Sequence, residues 1–373
     1  MISFDVAVLG AGTMGSAVAD HLSRRGLRVA AFEQFGIVHE MGSHGGSTRI
    51  IRHAYHESPD YVPLVLRSDD LWLELEAATG SRLLIRTGGI DLGPQNGTVV
   101  RNALLACRTH NRPGEQLSAA EVVKRWPQFR VPDEWHACYD PQMGFLLVES
   151  CIRAHVDSAR NLGATILENE PVLSIDYGQT IRLKTHRSVY EAAYVVVCAG
   201  SWTGKFLSEL NLPLVVKRKT LSWMKVNTPE DFAVGRFPIF LTDTPAGLLY
   251  GFPLFGHPGL KIANHHAAGP PVHPDTVDRE FCDEDANDVR EFTARHLPAV
   301  TSIVLDGKVC LYTMTPDEHF LIDLHPQHRN VVIAGGFSGH GFKFAPVVGE
   351  IVADLITAGK TKHRIDKFRI SRF

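Results

Sequence analysis

Gly10-Ala11-Gly12-Thr13-Met14-Gly15 sets three glycines at the end of a short apolar run, Val6-Ala7-Val8-Leu9. A helical pattern follows as far as Arg25, and Gly26 supplies its C-cap. Val29-Ala30-Ala31-Phe32 then reads as a second buried strand ending at Glu33. This is a β-α-β unit carrying a dinucleotide fingerprint. Gly10 permits the tight turn, Gly12 lets backbone approach a pyrophosphate, and Gly15 lets the helix pack closely on the strand. The phosphates would lie on the helix N-terminus, where unpaired N–H groups point. Glu33, about 20 residues on, is placed to accept from a ribose hydroxyl. Its charge would repel the 2′-phosphate of NADP. The fingerprint does not separate NAD from FAD.

Elsewhere the chain alternates between two kinds of pattern. A helix is predicted around Val65–Ala78, and short strands with one amphipathic stretch near Ala119–Trp126 fill the interval from Gly80 to Gly144. Cys151–Leu162 reads as a helix, and Thr165–Leu167 and Tyr194–Cys198 read as strands. Strands dominate from Pro213 to Asp306, with a solvated amphipathic helix near Asp285–His296. The α/β pattern returns with a strand at Val331–Ala334, a Gly-rich loop and a helix at Pro346–Ala358. The expected fold is therefore α/β: a Rossmann-like dinucleotide-binding domain, with a second α+β domain on a mainly antiparallel mixed sheet. Residues 1–80, 144–213 and 316–373 are assigned to the first domain, and 81–143 and 214–315 to the second. A chain of 373 residues suits two such domains.

Charge and cysteine usage narrow the function. A net charge of −3 gives no electrostatic footprint for nucleic acid or an anionic membrane. No apolar run approaches the ~20 residues of a membrane span, and a strand starting at the N-terminus leaves no room for a signal peptide. The six cysteines form no CxxC pair, which fits a reducing, cytoplasmic setting. The 19 histidines are scattered without the partner set of a zinc site, so no metal is expected.

Three further segments carry the decisive pattern. They are Gly42-Ser43-His44-Gly45-Gly46-Ser47-Thr48-Arg49 continuing to Tyr55, Tyr250-Gly251-Phe252-Pro253 with Gly259-Leu260-Lys261-Ile262-Ala263-Asn264-His265, and Cys310-Leu311-Tyr312-Thr313 leading to Gly336-Phe337-Ser338-Gly339-His340-Gly341-Phe342-Lys343-Phe344. With the first unit they resemble, from end to end and in the same order, the family of monomeric sarcosine oxidase and N-methyltryptophan oxidase. That resemblance implies FAD as cofactor. It also implies oxidation of a secondary amine of an amino acid, yielding an imine, then aldehyde and amine, with hydrogen peroxide from oxygen.

By the same resemblance, Cys310 corresponds to the cysteine that holds FAD through a thioether. Lys261 corresponds to the lysine that activates oxygen, and Arg49 to an arginine packed over the flavin. Arg52 and Lys343 correspond to the pair that binds the substrate carboxylate. Tyr250 and His265 correspond to residues near the substrate amine. Tyr55, Glu57, Tyr312 and Leu241 correspond to residues lining the substrate cavity. Ser43, Thr48, Gly339, Gly341 and Lys343 fall in the segments expected to touch the cofactor, with Gly10, Gly12, Gly15 and Glu33 at its other end. The loop before the last helix is expected to aim a helix N-terminus at the flavin.

The match departs at two residues. The family commonly shows a second histidine and an acid where this chain has Gly45 and Ser47, which puts the tuning of the flavin in question. Sarcosine is the first substrate expected, followed by larger N-methyl amino acids, cyclic imino acids such as pipecolate or proline, and glycated amines. An FAD dehydrogenase serving a partner protein and a non-catalytic flavoprotein subunit are the rival readings. Lys261 argues against the first of these, and the set Arg52, Lys343, Lys261 and Cys310 against the second. The expected partners are a small amino acid and oxygen, and the expected state is a monomer.

Overall fold

Val6-Ala7-Val8-Leu9 is apolar at every position because both faces of its sheet are covered. In the computed structural model, which describes residues 2–373, it is the buried half of strand Ile2–Leu9. This strand pairs in parallel with Val29–Phe32 on one edge and with Val189–Val197 on the other. The longer strand divides its far edge. Residues 189–192 pair antiparallel with Ile181–Lys184, and residues 195–197 pair parallel with Val331–Gly335. Thr165–Leu167, Ser174–Asp176 and Leu321–Leu324 complete an eight-stranded sheet. Val6 and Val8 face a core shared with helices Thr13–Arg24, Val62–Thr79, Val148–Asn161 and Ala345–Ala358, whereas Ala7 and Leu9 face Val172, Ile181 and Leu207.

A second eight-stranded sheet runs in the order Val300–Met314, Val215–Val226, Leu260–Asn264, Gly247–Gly251, Ile239–Thr244, Gly89–Pro94, Trp135–Asp140, Glu115–Ser118. Only the pairing of Ile239–Thr244 with Gly89–Pro94 is parallel. Successive side chains alternate faces, so register decides what each face carries. One face holds Ile90, Leu92, Met224, Phe240, Leu249 and Ile262, packed against Val289 and Phe292 of helix Asn287–His296. On the other, Cys310 lies opposite Lys219, Trp223 opposite Lys261, and Leu241 between Tyr250 and Asp91. A three-stranded sheet of Thr48–Ile51, Gly144–Leu147 and Leu84–Arg86 completes the strands.

Two local expectations are corrected. The stretch from Gly80 to Gly144 contains a helix, Thr98–Thr109, as well as strands and Ala119–Arg125. It buries Val99, Val100, Ala103, Leu104 and Cys107 along one side. The helix expected from Asp285 starts at Asn287, after a 3-10 turn at Asp283–Ala286; it is amphipathic as expected and buries Val289 and Phe292 in the second core. The mixed α/β architecture with two large sheets is as expected.

Candidate active site

The fingerprint glycines are required for different reasons. Gly10 has φ +86°, and a Cβ on it would lie 2.6 Å from the Cys198 carbonyl oxygen. A Cβ on Gly15 would lie 1.7 Å from the Gly10 oxygen, so this residue sets the close approach of helix to turn. At Gly12 a Cβ would only touch the His44 ring, at 3.5 Å. Its bareness keeps space open in a cleft, not within the protein. The helix it begins has no side-chain cap and no acid in its first turn, so its N–H groups are free for an anion. Glu33 accepts from the Ala11 and Phe35 N–H groups, each at 3.0 Å, which fixes its carboxylate at the strand end.

The cleft, about 190 Å³ in volume, continues past the fingerprint. Its walls include Gly10, Gly12, Glu33, Ser43, His44, Arg49, Tyr312, Gly339 and Gly341. His44 is buried, and among the described residues its Nε2 has no hydrogen-bond partner. Burial, with His39 nearby, pushes its pKa down to about 3, so it stays a neutral imidazole.

The segment 43–49, which supplies part of the cleft wall, is tied down by two cations. Arg49 donates to the carbonyls of Ser43, Gly45 and Thr48. Lys261 donates to Thr48 through both its carbonyl (2.8 Å) and Oγ1 (3.0 Å), and to the Gly46 carbonyl. Its Nζ lies 4.6 Å from the Phe252 ring centre. Burial first, and Arg49 second, push its pKa well below the usual lysine range. Cys310 is buried in a cluster with Leu221, Trp223, Ala263 and Tyr312. Burial pushes its thiol pKa up, while Arg49, Lys261 and Lys219 oppose the shift. Tyr312 packs on bare Gly339, where a Cβ would lie 2.1 Å from the ring, and its hydroxyl is 3.4 Å from His265 Nδ1.

A second group of charges gathers around Tyr55, which is fully buried. The Arg52 guanidinium lies 4.3 Å from the centre of its ring and Lys343 Nζ 5.3 Å. The Tyr55 hydroxyl is 2.6 Å from His340 Nδ1, and Lys343 Nζ donates to the His340 carbonyl at 2.7 Å. Arg52 Nη2 reaches both oxygens of Glu57, at 2.7 and 2.6 Å. Burial works against the charge of Glu57, yet Arg52 overrides it and holds the carboxyl well below its usual range. Among the described residues, the Lys343 ammonium bonds the His340 carbonyl and no carboxylate. Burial, reinforced by Arg52, pushes its pKa down to about 7. Lys343 directly follows Gly341 and Phe342, which line the cleft, so the Tyr55 group adjoins it.

The sequence profile described as "FAD dependent oxidoreductase" matches residues 5–355. The chain belongs to that family of FAD-dependent oxidoreductases. It is 41% identical to the monomeric sarcosine oxidase of Bacillus sp. (strain B-0618), over 99% of this chain and 96% of the relative. It is 36% identical to the N-methyl-L-tryptophan oxidase of Yersinia pestis (strain Pestoides F), with both chains covered completely. Among solved structures, NikD, an unusual amino acid oxidase essential for nikkomycin biosynthesis, superposes with a TM-score of 0.87 at 26% identity. The superposition covers 99% of this chain and 98% of NikD. The resemblance read from the CLYT and GFSGHGFKF segments is thereby supported along the whole chain.

This FAD-dependent oxidoreductase has the features its cofactor needs. The uncapped helix start, the bare Gly12 and the neutral His44 ring all belong to one cleft wall. Gly10, Gly12, Glu33 and Ser43 would hold the dinucleotide end, with Arg49, Gly339, Gly341 and Tyr312 at the far end. Gly15 shapes the turn without lining the cleft. Thr48 acts on Lys261, and Leu241 is buried beside its cross-strand partner Tyr250. The loop after Val331–Gly335 lines the cleft with Gly336–Ser338, Gly339, Gly341 and Phe342. A 3-10 turn, Phe342–Phe344, separates it from helix Ala345–Ala358. The loop backbone, and not the start of the long helix, therefore meets the cleft. Reasoning from sequence missed Lys219, His56 and Asp91. Lys219 carried no readable signal, because it lies in the charged run Lys217-Arg218-Lys219.

Proposed function

We propose that this oxidoreductase oxidises secondary-amine α-amino acids, with sarcosine or another N-methyl amino acid as substrate and oxygen as electron acceptor. The observation that carries the reading is the pair of buried cations, Arg52 and Lys343, on one tyrosine ring, with a single carboxylate, Glu57, that only Arg52 holds. A substrate α-carboxylate supplies the missing negative charge. Arginine grips such a group directionally and lysine adds a point charge. The names of the relatives, sarcosine oxidase and N-methyl-L-tryptophan oxidase, supply the amine chemistry.

FAD, when bound, supplies the two-electron acceptance and the reaction with oxygen. The residues of this chain do the rest. Arg52 and Lys343 fix the carboxylate. His265, kept neutral by burial and by His266, presents a lone pair to the amine end, flanked by Tyr250 and Tyr312. Leu241 bounds the space for the side chain. Lys261 provides a fixed positive charge where negative charge develops on oxygen, an effect strengthened where water is excluded. Hydrolysis of an N-methyl imine would release formaldehyde, with hydrogen peroxide as the second product.

Covalent attachment of FAD at Cys310 is part of the proposal. Its support is position: Cys310 and the cleft-lining Tyr312 share one strand face, with three cations nearby. Six unpaired cysteines favour a cytoplasmic protein, and the relatives' names favour a monomer. Residues 1–80, 144–213 and 316–373 would form the cofactor-binding domain, and 81–143 and 214–315 the substrate domain. A panel of N-methyl and cyclic amino acids, followed by peroxide release in air, tests the reading. An amine that reduces the enzyme under argon but releases no peroxide in air would overturn the oxidase assignment.

A further inference from the structure

Asp91 is completely buried, and among the described residues neither of its carboxylate oxygens has a hydrogen-bond partner. A carboxylate in that state is costly unless positive charge lies close by. Two sources are at hand. His56 Nδ1, itself without a hydrogen-bond partner, lies 3.6 Å from Asp91 Oδ1. Arg52 feels the Asp91 charge as well. On its other side, His56 Nε2 lies 3.6 Å from Glu57 Oε2, the oxygen that Arg52 Nη2 holds at 2.6 Å. The result is a buried row, Asp91, His56, Glu57, Arg52, in which every neighbour is of opposite or titratable charge. The backbone of His56 is fixed from helix Thr98–Thr109 by Asn102, which donates to its carbonyl at 3.1 Å. His266 is the other ionisable group that senses His56.

We infer that His56, backed by Asp91, is a positioning residue that receives Glu57 when a substrate carboxylate takes Arg52. Glu57 and the substrate carboxylate compete for the same guanidinium. A displaced Glu57 would otherwise be a buried anion without a partner, and that cost would count against substrate binding. Closing the gap from 3.6 Å to an ordinary N–H···O length near 2.9 Å needs only a small side-chain shift. Each ring nitrogen of His56 faces a carboxylate at 3.6 Å, Asp91 from Nδ1 and Glu57 from Nε2. The row therefore sets how tightly carboxylates bind and leaves the oxidation step to other residues. This inference rests on the reading of Arg52 as the carboxylate receptor.

The test uses the holoenzyme and methoxyacetate, the ether isostere of N-methylglycine, which has no amine to oxidise. Its binding is followed by the change in flavin absorbance. His56→Gln should weaken methoxyacetate roughly tenfold, the scale of one hydrogen bond to a charged group. The KM for the amine substrate should rise alike while kcat stays within about twofold. Asp91→Asn should shift both in the same direction. In a Glu57→Gln background, where the competing anion is gone, neither substitution should matter. Equal effects in the two backgrounds, or none in either, would overturn the inference and leave the carboxylate reading intact. If methoxyacetate fails to perturb the flavin of the unaltered enzyme, both fall.

Discussion

Lys261 donates two of its hydrogen bonds to a single residue, Thr48, at 2.8 Å to the carbonyl and 3.0 Å to the hydroxyl. With the Gly46 carbonyl these acceptors occupy all three ammonium N–H groups. No carboxylate neutralises the charge, although the residue is only 5% exposed. The lysine is therefore a fixed, oriented cation, held against a desolvation that pushes its pKa down. Lys261→Met keeps the shape and removes the charge. The expected outcome is a loss of about 10²–10³ in the rate at which oxygen reoxidises the reduced enzyme, the scale seen when one preorganised donor is deleted. Anaerobic reduction by the amine should change by less than about tenfold. Rapid mixing of each half-reaction separates the two, and equal losses in both would remove the assigned role.

Gly12 and Gly15 should fail in different ways. Alanine at 15 collides with backbone at 1.7 Å, and backbone cannot move aside cheaply. Gly15→Ala should cost about 3 kcal/mol or more of stability, at the upper end of overpacking effects. It should show as lost soluble yield or a lowered melting point even without cofactor. Alanine at 12 meets only the His44 ring, at 3.5 Å. Gly12→Ala should fold with an unchanged melting point for the apoprotein, yet carry much less flavin per chain by absorbance.

Cys310 and Lys219 are cross-strand partners on the same face of the second sheet. Attack by sulfur needs the thiolate, which burial disfavours here and nearby cations favour. Cys310→Ser should give folded protein whose flavin passes into the supernatant on acid precipitation, whereas the unaltered protein keeps its colour in the pellet. Lys219→Met should slow attachment, because it removes one of the cations that favour the thiolate. Measuring pelleted flavin against time after adding FAD to apoprotein reads both.

The parts of this molecule that sequence made legible are those whose chemistry is local. A strand, a glycine turn and a helix lie in one continuous segment from Val6 to Arg25, so their geometry follows from neighbours in the chain. The segments around Arg49, Lys261, Cys310 and Gly339 were recognisable because each is a run of unusual residues. Asp91, His56 and Lys219 were not legible. Their meaning depends on register: Asp91 faces Leu241, and Lys219 faces Cys310, only because distant strands align at those residues. A slip by one position would turn each to the opposite face. The hold of Glu57 on Arg52 was hidden for a related reason, since charge pairing depends on side-chain paths that the chain order does not specify. Helix Thr98–Thr109 escaped notice because its first turn carries Val99-Val100, which favour strands, and follows Gly93, Pro94 and Gly97.

Lys343 should give carboxylate binding a pH dependence within the working range. Burial, with Arg52 beside it, pushes its pKa down to about 7 from the ordinary 10.5. Below about 7 it is charged and can pair with a carboxylate, and above it the free enzyme has lost that charge. Methoxyacetate carries no titrating amine, so its affinity should fall about tenfold per pH unit once the pH is well above the Lys343 pKa and the carboxylate selects the charged form. Arg52 alone would then set a floor. Lys343→Met should bind at that floor and show a flat profile from pH 6 to 9, while kcat for a carboxylate-bearing amine falls because its orientation is lost. The same shift has a stability consequence whose sign is fixed. Between pH about 7 and 10.5 the unfolded chain carries more protons on this lysine than the folded protein does. Stability from this group therefore rises with pH across that window and is lowest below it. Urea melts of the apoprotein at pH 7 and 9 should show the difference between unaltered and Lys343→Met proteins narrowing toward high pH. A constant difference would mean that Lys343 is not depressed in the folded state.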